Sequence, residues 1–175
     1  MFSLIDLLKN QANITLDKIG ILDIGALLLE DSPPEYAVLS NKGHAKVIGF
    51  EPMPSECEKL NKAAKSQDIH FLPYFIGDGS KQKFYLTSSP MTASLYEPNQ
   101  KFLDMFQHLG IHTMVTAIEE VQTCRLDDIQ EIDFPIDYMK MDIQGAELQA
   151  LNSAKDRLLK DVLVIQTEVS WVQLY

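Results

Sequence analysis

Short apolar runs alternate with amphipathic segments along this chain, and the alternation predicts its architecture. Five runs are predicted to be core strands because their residues are mostly apolar: residues 19–22, 47–50, 69–76, 138–143 and 161–169. Segments with helical spacing of apolar residues lie between them. Because strands alternate with helices, we expect an α/β fold with a doubly wound, mostly parallel sheet and flanking helices.

Capping and turn signals predict where several helices begin and end. Ser32-Pro33-Pro34 is typical of a helix start, and Gly43 is typical of its end. Residues 55–58 match a capping box, with Ser55 as its first residue. A further helix is predicted over residues 100–109.

Two other segments alternate polar and apolar residues in the manner of strands. Residues 82–87 are predicted to form an antiparallel strand with one exposed face, and residues 115–126 contain another strand. Residues 1–18 are expected to form an amphipathic N-terminal helix that packs on a domain spanning residues 19–175.

Composition narrows the class of protein further. The 175 residues include 15 basic and 25 acidic side chains, so the formal charge is −10. This charge argues against nucleic acid as a partner, since binding phosphates requires a basic surface. No apolar run approaches the ~18 residues that span a bilayer, and no secretory signal is evident. Together with the isolated thiols Cys57 and Cys124, this predicts a cytoplasmic protein with reduced cysteines and no membrane partner.

Acidic residues follow four of the predicted strands, and their positions suggest a binding edge. Asp23 with Gly25 follows strand one, Glu51 follows strand two, Asp78 follows strand three and Asp142 follows strand four. Ligands of open α/β sheets bind at the carboxyl ends of the strands, and an acid after strand two can accept hydrogen bonds from ribose hydroxyls. Each acid also has an ordinary structural alternative, such as a turn residue, a solvated strand end or a helix N-cap.

The stretch from Asp137 to Glu147 organises this predicted edge. Its apolar residues form a short strand, while Lys140 and Asp142 project from one side of it. A buried, unpaired charge costs several kcal/mol, so Asp142 is expected at the mouth of the strand.

These positions carry a resemblance to a known family. The chain resembles methyltransferases of the FkbM family, which have the class I S-adenosylmethionine-dependent fold, a Rossmann-like sheet. The resemblance spans about residues 19–175 and rests on these segments: Leu22–Ala26, Ile48–Pro52, Ile76–Ser80, Ser94–Pro98, Thr123–Asp128, Lys140–Glu147 and Gln166–Val169.

The resemblance implies roles for the matching residues. Asp23 and Gly25 would lie near the methionine end of S-adenosylmethionine, Glu51 would hold the ribose hydroxyls, and Asp78 would lie beside the adenine. Asp142 would lie close to the transferred methyl group, and either Asp142 or Glu147 could act as general base. The implied reaction is O-methylation of a hydroxyl on a small molecule or glycan, without a metal.

Two departures from the family pattern affect these expectations. The loop after Gly25 carries fewer glycines than many class I enzymes, so its contacts with the cofactor are expected to differ in detail. The class I sheet also has two further strands, which the resemblance predicts beyond Tyr175. Without them, strand five would form an exposed hydrophobic edge that could pair with another chain, for instance in a homo-oligomer.

Two alternative functions remain open from sequence alone. One is a nicotinamide-dependent oxidoreductase, which Glu51 would suit although a single Gly25 does not. The other is a truncated or degenerate domain that acts only as a binding module through its open sheet edge.

Overall fold

The computed structural model describes residues 17–27 and 33–175. These residues form eight strands: β1 Ile19–Ile24, β2 Ala45–Phe50, β3 Ile69–Leu72, β4 Phe75–Ile76, β5 Lys81–Thr87, β6 Val115–Cys124, β7 Tyr138–Met141 and β8 Val164–Thr167. The same residues form six α-helices: α1 Ala37–Asn41, α2 Pro54–Ala63, α3 Gln100–Leu103, α4 Leu109–His112, α5 Glu147–Asn152 and α6 Lys155–Lys160.

Five of these strands form a parallel sheet in the order β3-β2-β1-β7-β8. The central strand β1 is buried on both faces, and its sequence is apolar apart from Asp23. One face packs in the largest core cluster, which includes Leu22, Ile24, Phe50 and Met139. The predicted α/β fold with a mostly parallel sheet is therefore confirmed.

A second sheet of three strands, β4-β6-β5, follows β3 in the chain. The prediction of one strand over residues 69–76 is wrong, because the chain turns between Leu72 and Phe75, where Tyr74 N–H donates to the Leu72 carbonyl at 3.0 Å. Pro73 has no N–H to donate to a ladder, so a strand does not continue through it easily. The predicted antiparallel strand over residues 82–87 is confirmed as β5, which pairs with β6.

Several predicted helix boundaries need correction. The capping box over residues 55–58 does not form, because α2 begins one residue earlier with Pro54 in the first turn, and Met53 makes no side-chain cap. The helix predicted over residues 100–109 is two short helices, α3 and α4. The predicted end at Gly43 is confirmed, since α1 stops at Asn41 and Gly43 has φ +71°.

The helix start predicted at Ser32-Pro33-Pro34 is wrong, because Pro33 and Pro34 are not helical and α1 begins at Ala37; Ser32 itself lies outside the described residues. The N-terminal helix predicted over residues 1–18 also lies outside them, except for residues 17 and 18. No helix within residues 17–27 and 33–175 is long and apolar enough to cross a membrane.

Strand β8 lies at one edge of the parallel sheet. Leu163, Val164 and Ile165 are all exposed there, to 79%, 54% and 42%. The predicted exposed hydrophobic edge is therefore present in the described structure.

Candidate active site

The carboxyl ends of β1, β2 and β7 meet at one edge of the parallel sheet. Ile24, the last residue of β1, is aligned with Phe50 on one side and with Met141 on the other. The next residues along the three strands are Gly25, Glu51 and Asp142, and neighbouring strands are about 4.8 Å apart. The predicted convergence of these residues at one sheet edge is confirmed, whereas their roles stay predictions.

Gly25 allows the chain to turn tightly between the two neighbouring strand ends. Its φ is +82°, a conformation that L residues rarely adopt. A Cβ at this position would lie 2.0 Å from the Asp142 carbonyl oxygen. Gly25 N–H also donates to the Phe50 carbonyl at 3.1 Å, and Asp142 N–H donates to the Ile24 carbonyl at 2.9 Å. The turn is therefore packed so closely that only glycine fits.

Asp23 lies inside the sheet with both carboxylate oxygens engaged. It is 3% exposed. The Tyr36 hydroxyl donates to its Oδ2 at 2.6 Å, and Lys140 Nζ donates to its Oδ1 at 3.1 Å. Burial and the charge of Asp23 raise the pKa of Tyr36, so this phenol stays protonated and remains a donor. Asp23 is thus satisfied by protein groups alone.

Glu51 is also buried but is satisfied on one oxygen only. Met53 N–H donates to its Oε1 at 2.8 Å, whereas its Oε2 accepts no hydrogen bond from the described residues. Burial raises the pKa of Glu51 to about 6, although the Met53 hydrogen bond acts in the opposite direction. A buried carboxylate with one free oxygen is suited to accept donors from a ligand.

Asp142 follows β7 directly and is half-buried. Gln144 Nε2 donates to its Oδ1 at 2.7 Å, and its Oδ2 accepts no hydrogen bond from the described residues. The predicted position of Asp142 at the mouth of its strand is confirmed. Like Glu51, it has one carboxylate oxygen at the sheet edge that no described residue hydrogen-bonds.

Glu147, the other candidate base, is held by backbone groups. Its carboxylate accepts hydrogen bonds from Ile143 N–H at 3.0 Å and from Gly145 N–H at 3.0 Å. These bonds hold the loop that precedes α5. Partial desolvation and the charges of Asp142 and Glu147 raise the pKa of nearby Glu168, so this edge of the sheet is acidic.

Asp78 does not lie where the sequence pattern predicted. It follows β4 of the three-stranded sheet, so the prediction that it lies on the same sheet edge as Asp23 and Glu51 is wrong. Its carboxylate accepts hydrogen bonds from the Ser80 hydroxyl and from Gln82, and these lower the pKa of Asp78 to about 2. It lines a cavity of about 360 Å³ together with Tyr96 and other residues. A contact between Asp78 and adenine stays a prediction.

The sequence prediction did not assign roles to several residues that shape this site. Lys140 could have been found, because a base in a buried strand needs a partner and Asp23 occupies the aligned position on β1. Ser94 and Tyr175 offered no such signal. Both contact Gln144 across long stretches of sequence, through the Ser94 hydroxyl and the Tyr175 hydroxyl.

Comparison with known proteins assigns the family. The family model of the methyltransferase FkbM domain matches residues 12–175. No curated protein and no solved structure is similar enough to match the chain. Since the family model covers all but the first 11 of 175 residues, the chain belongs to the FkbM methyltransferase family, an enzyme family, and this membership implies S-adenosylmethionine-dependent methylation.

Proposed function

We propose that this protein is an O-methyltransferase that methylates a hydroxyl group on a small molecule or glycan. The observation that carries the proposal is the pair of half-satisfied carboxylates, Glu51 and Asp142, on either side of the tight turn at Gly25. One carboxylate oxygen could accept hydrogen bonds from the cofactor, and the other could accept one from the hydroxyl group that is to be methylated.

The residues at the sheet edge fit S-adenosylmethionine. The Oε2 of Glu51, which accepts no hydrogen bond from residues 17–27 and 33–175, can accept hydrogen bonds from ribose hydroxyls, as acids after the second strand do in dinucleotide-binding folds. The burial of Glu51 supports this role, since a buried carboxylate gains most from a ligand that supplies its missing donors.

The charge of the edge also suits this cofactor, which carries a positive sulfur. Asp142, Glu147 and Glu168 lie close enough together for their charges to interact. Lys140, the base that reaches this region, is paired with Asp23. The remaining negative charge would favour a cationic ligand and disfavour an anionic one.

The chemistry that we propose needs a proton acceptor beside the reacting hydroxyl. When bound, S-adenosylmethionine supplies a methyl group to which the acceptor oxygen bonds, while the bond to sulfur breaks and its electron pair stays on sulfur. Asp142 Oδ2 would take the proton that the acceptor oxygen loses. The two hydrogen bonds that Glu147 accepts support a role in holding the loop instead of removing this proton.

A binding assay followed by a transfer assay tests the proposal. We expect S-adenosylhomocysteine to bind in calorimetry, and we expect S-adenosylmethionine with a labelled methyl group to transfer label to a panel of methyl glycosides and phenols. Asp142→Asn should keep its affinity for S-adenosylhomocysteine within about threefold and lose at least ~100-fold in kcat. A folded protein that binds no S-adenosylhomocysteine at millimolar concentration contradicts the cofactor role. Binding without transfer to any acceptor contradicts the proposed acceptor class.

A second candidate function is a binding module, and the exposed apolar residues at β8 favour it. The outer edge of β8 could pair with the same edge of a second copy, since edge strands readily pair. A monomeric mass in light scattering at high micromolar concentration would contradict this candidate. Membership in a methyltransferase family leaves the nicotinamide-dependent oxidoreductase without support.

A further inference from the structure

The backbone at Gln144 adopts an unusual conformation directly after Asp142. Gln144 has φ +55°, in the left-handed region that residues other than glycine seldom occupy, and Gly145 follows with φ +99°. The cost of such a conformation for a residue with a side chain is about 1 kcal/mol. Surrounding contacts must therefore hold it in place.

Two groups from distant parts of the chain hold this backbone. The hydroxyl of Ser94, which is 1% exposed, donates to the Gln144 carbonyl at 2.6 Å. On the other side, Glu147 accepts hydrogen bonds from Ile143 N–H and Gly145 N–H. Both ends of the strained turn are thereby fixed, and the direction of the Gln144 side chain is fixed with them.

The Gln144 side chain connects two functional groups. Its Nε2 donates to Asp142 Oδ1 at 2.7 Å, and its Oε1 accepts from the Tyr175 hydroxyl at 3.0 Å. The same hydroxyl lies 3.2 Å from the Thr92 carbonyl. Burial and nearby carboxylates raise the pKa of Tyr175 to about 12, so its hydroxyl keeps the proton that it donates.

We propose that Gln144 is a positioning residue for Asp142, with Tyr175 and Ser94 fixing Gln144 in turn. The amide occupies Oδ1 and fixes the rotation of the carboxylate, so that Oδ2 faces the acceptor hydroxyl. This inference rests on the proposed function, because it assigns Asp142 the role of proton acceptor. It adds that the orientation of Asp142 depends on a neutral amide two residues further along the chain.

Two variants that each replace a glutamine by glutamate test, through kcat, whether Gln144 orients Asp142. Gln144→Glu keeps the length of the side chain but removes the donor, and we expect kcat to fall at least ~10-fold, since misplaced catalytic groups lose rate steeply. KM and the affinity for S-adenosylhomocysteine should change less than threefold. Gln130→Glu is the matched control, because it makes the same charge change on an exposed turn and should leave kcat unchanged.

A third variant separates orientation from folding. Gln144→Asn suits the left-handed backbone, since asparagine tolerates it better than most residues, but its amide is one methylene shorter. We expect Gln144→Asn to melt at the wild-type temperature and to lose kcat as Gln144→Glu does. Wild-type kcat in both variants, measured with the most active acceptor of the panel, overturns the proposal.

An NMR measurement tests the same contact without any acceptor. The side-chain amide protons of Gln144 should exchange with water at least ~10-fold more slowly in the wild-type protein than in Asp142→Ala, which removes the acceptor oxygen, or in Tyr175→Phe. Equal exchange rates in all three proteins overturn the proposal even if the enzyme is active. If the wild-type protein binds no S-adenosylhomocysteine, the proposed function fails, whereas slow exchange would still support the contact itself.

Discussion

Two regions of the same sheet differ in how their carboxylates are hydrogen-bonded. At Asp23, inside β1, both oxygens are bonded to the side chains of Tyr36 and Lys140. At the neighbouring strand ends, Glu51 and Asp142 each have one bonded oxygen and one that accepts nothing from the described residues. The turn at Gly25, two residues after Asp23, lies between the two regions.

The difference distinguishes a structural carboxylate from one that can bind a ligand. A buried charge whose partners are all protein groups stabilises the native arrangement of those groups and has no acceptor left for a ligand. A carboxylate with a free oxygen at a sheet edge keeps part of its hydrogen-bonding capacity unused. By this criterion we propose Glu51 for the cofactor site and Asp142 for the acceptor site, with Asp23 in a structural role inside the sheet.

The largest effect should come from breaking the structural region. Lys140→Met removes the cation beside Asp23, whose side chain is only 4% exposed. We expect the free energy of unfolding to fall by about 3–5 kcal/mol, because an uncompensated charge remains buried. Urea denaturation at neutral pH measures the loss.

Lys81→Met is the control for this prediction. It breaks the ion pair of Lys81 with Glu120, in which both side chains are about 70% exposed. Exposed pairs contribute about 0–1 kcal/mol, so this variant should unfold almost as the wild type does. Equal losses for Lys140→Met and Lys81→Met would show that Asp23 does not depend on its partner.

The turn that separates the two regions gives the next largest effect. Gly25→Ala places a Cβ 2.0 Å from the Asp142 carbonyl oxygen at a φ of +82°. We expect a loss of about 2–4 kcal/mol in the free energy of unfolding, because strain and a backbone clash combine.

Gly43→Ala is the matched control. Its φ is +71°, but no atom of the described residues lies within 4 Å of the added Cβ, so only the strain of about 1 kcal/mol is expected. Equal losses would mean that the turn at Gly25 has room to move.

The sequence predicted the parallel sheet well because its strands are mostly apolar. β7 and β8 lie inside their predicted segments, whereas β1 and β2 each extend two residues beyond theirs, and the sheet edge was predicted with them. Gly25, Glu51 and Asp142 could be placed for the same reason. A residue that ends a core strand is positioned by the strand itself.

The predictions failed where long-range contacts decide the structure. Residues 69–76 are mostly apolar, yet Pro73 and the turn at Tyr74 divide them between two sheets. Asp78 follows β4 and therefore lies in the second sheet instead of at the predicted edge of the parallel sheet. The contact of Ser94 with Gln144 joins residues 50 positions apart, and local patterns contain no information about such a pair. The cytoplasmic location stays a prediction.

A smaller effect, on binding and not on folding, should come from Glu51. Glu51→Gln keeps the shape of the side chain but removes its charge, so hydrogen bonds from ribose hydroxyls should weaken by about 1.5–3 kcal/mol, which is roughly 10- to 150-fold in Kd for S-adenosylhomocysteine. Calorimetry measures the change. Glu58→Gln, on the exposed side of α2, is the control and should bind as the wild type does. Unchanged affinity in Glu51→Gln would remove Glu51 from the cofactor site.

The smallest expected effect is a pH dependence of stability and of ligand affinity at Glu51. Because burial raises the pKa of Glu51 to about 6 from 4.5, the contribution of Glu51 to stability is fully present below pH 4.5 and is lost as the pH rises through 6. Its affinity for ribose should change in the opposite direction, since only the ionised carboxylate accepts from both hydroxyls. Below pH 6, Kd for S-adenosylhomocysteine should therefore rise by up to about tenfold per pH unit, or about 1.4 kcal/mol. Glu51→Gln should abolish this dependence, whereas Glu58→Gln should retain it. A Kd that stays constant between pH 5 and 7 in the wild-type protein would show that the half-satisfied carboxylate of Glu51 is not where the ligand binds.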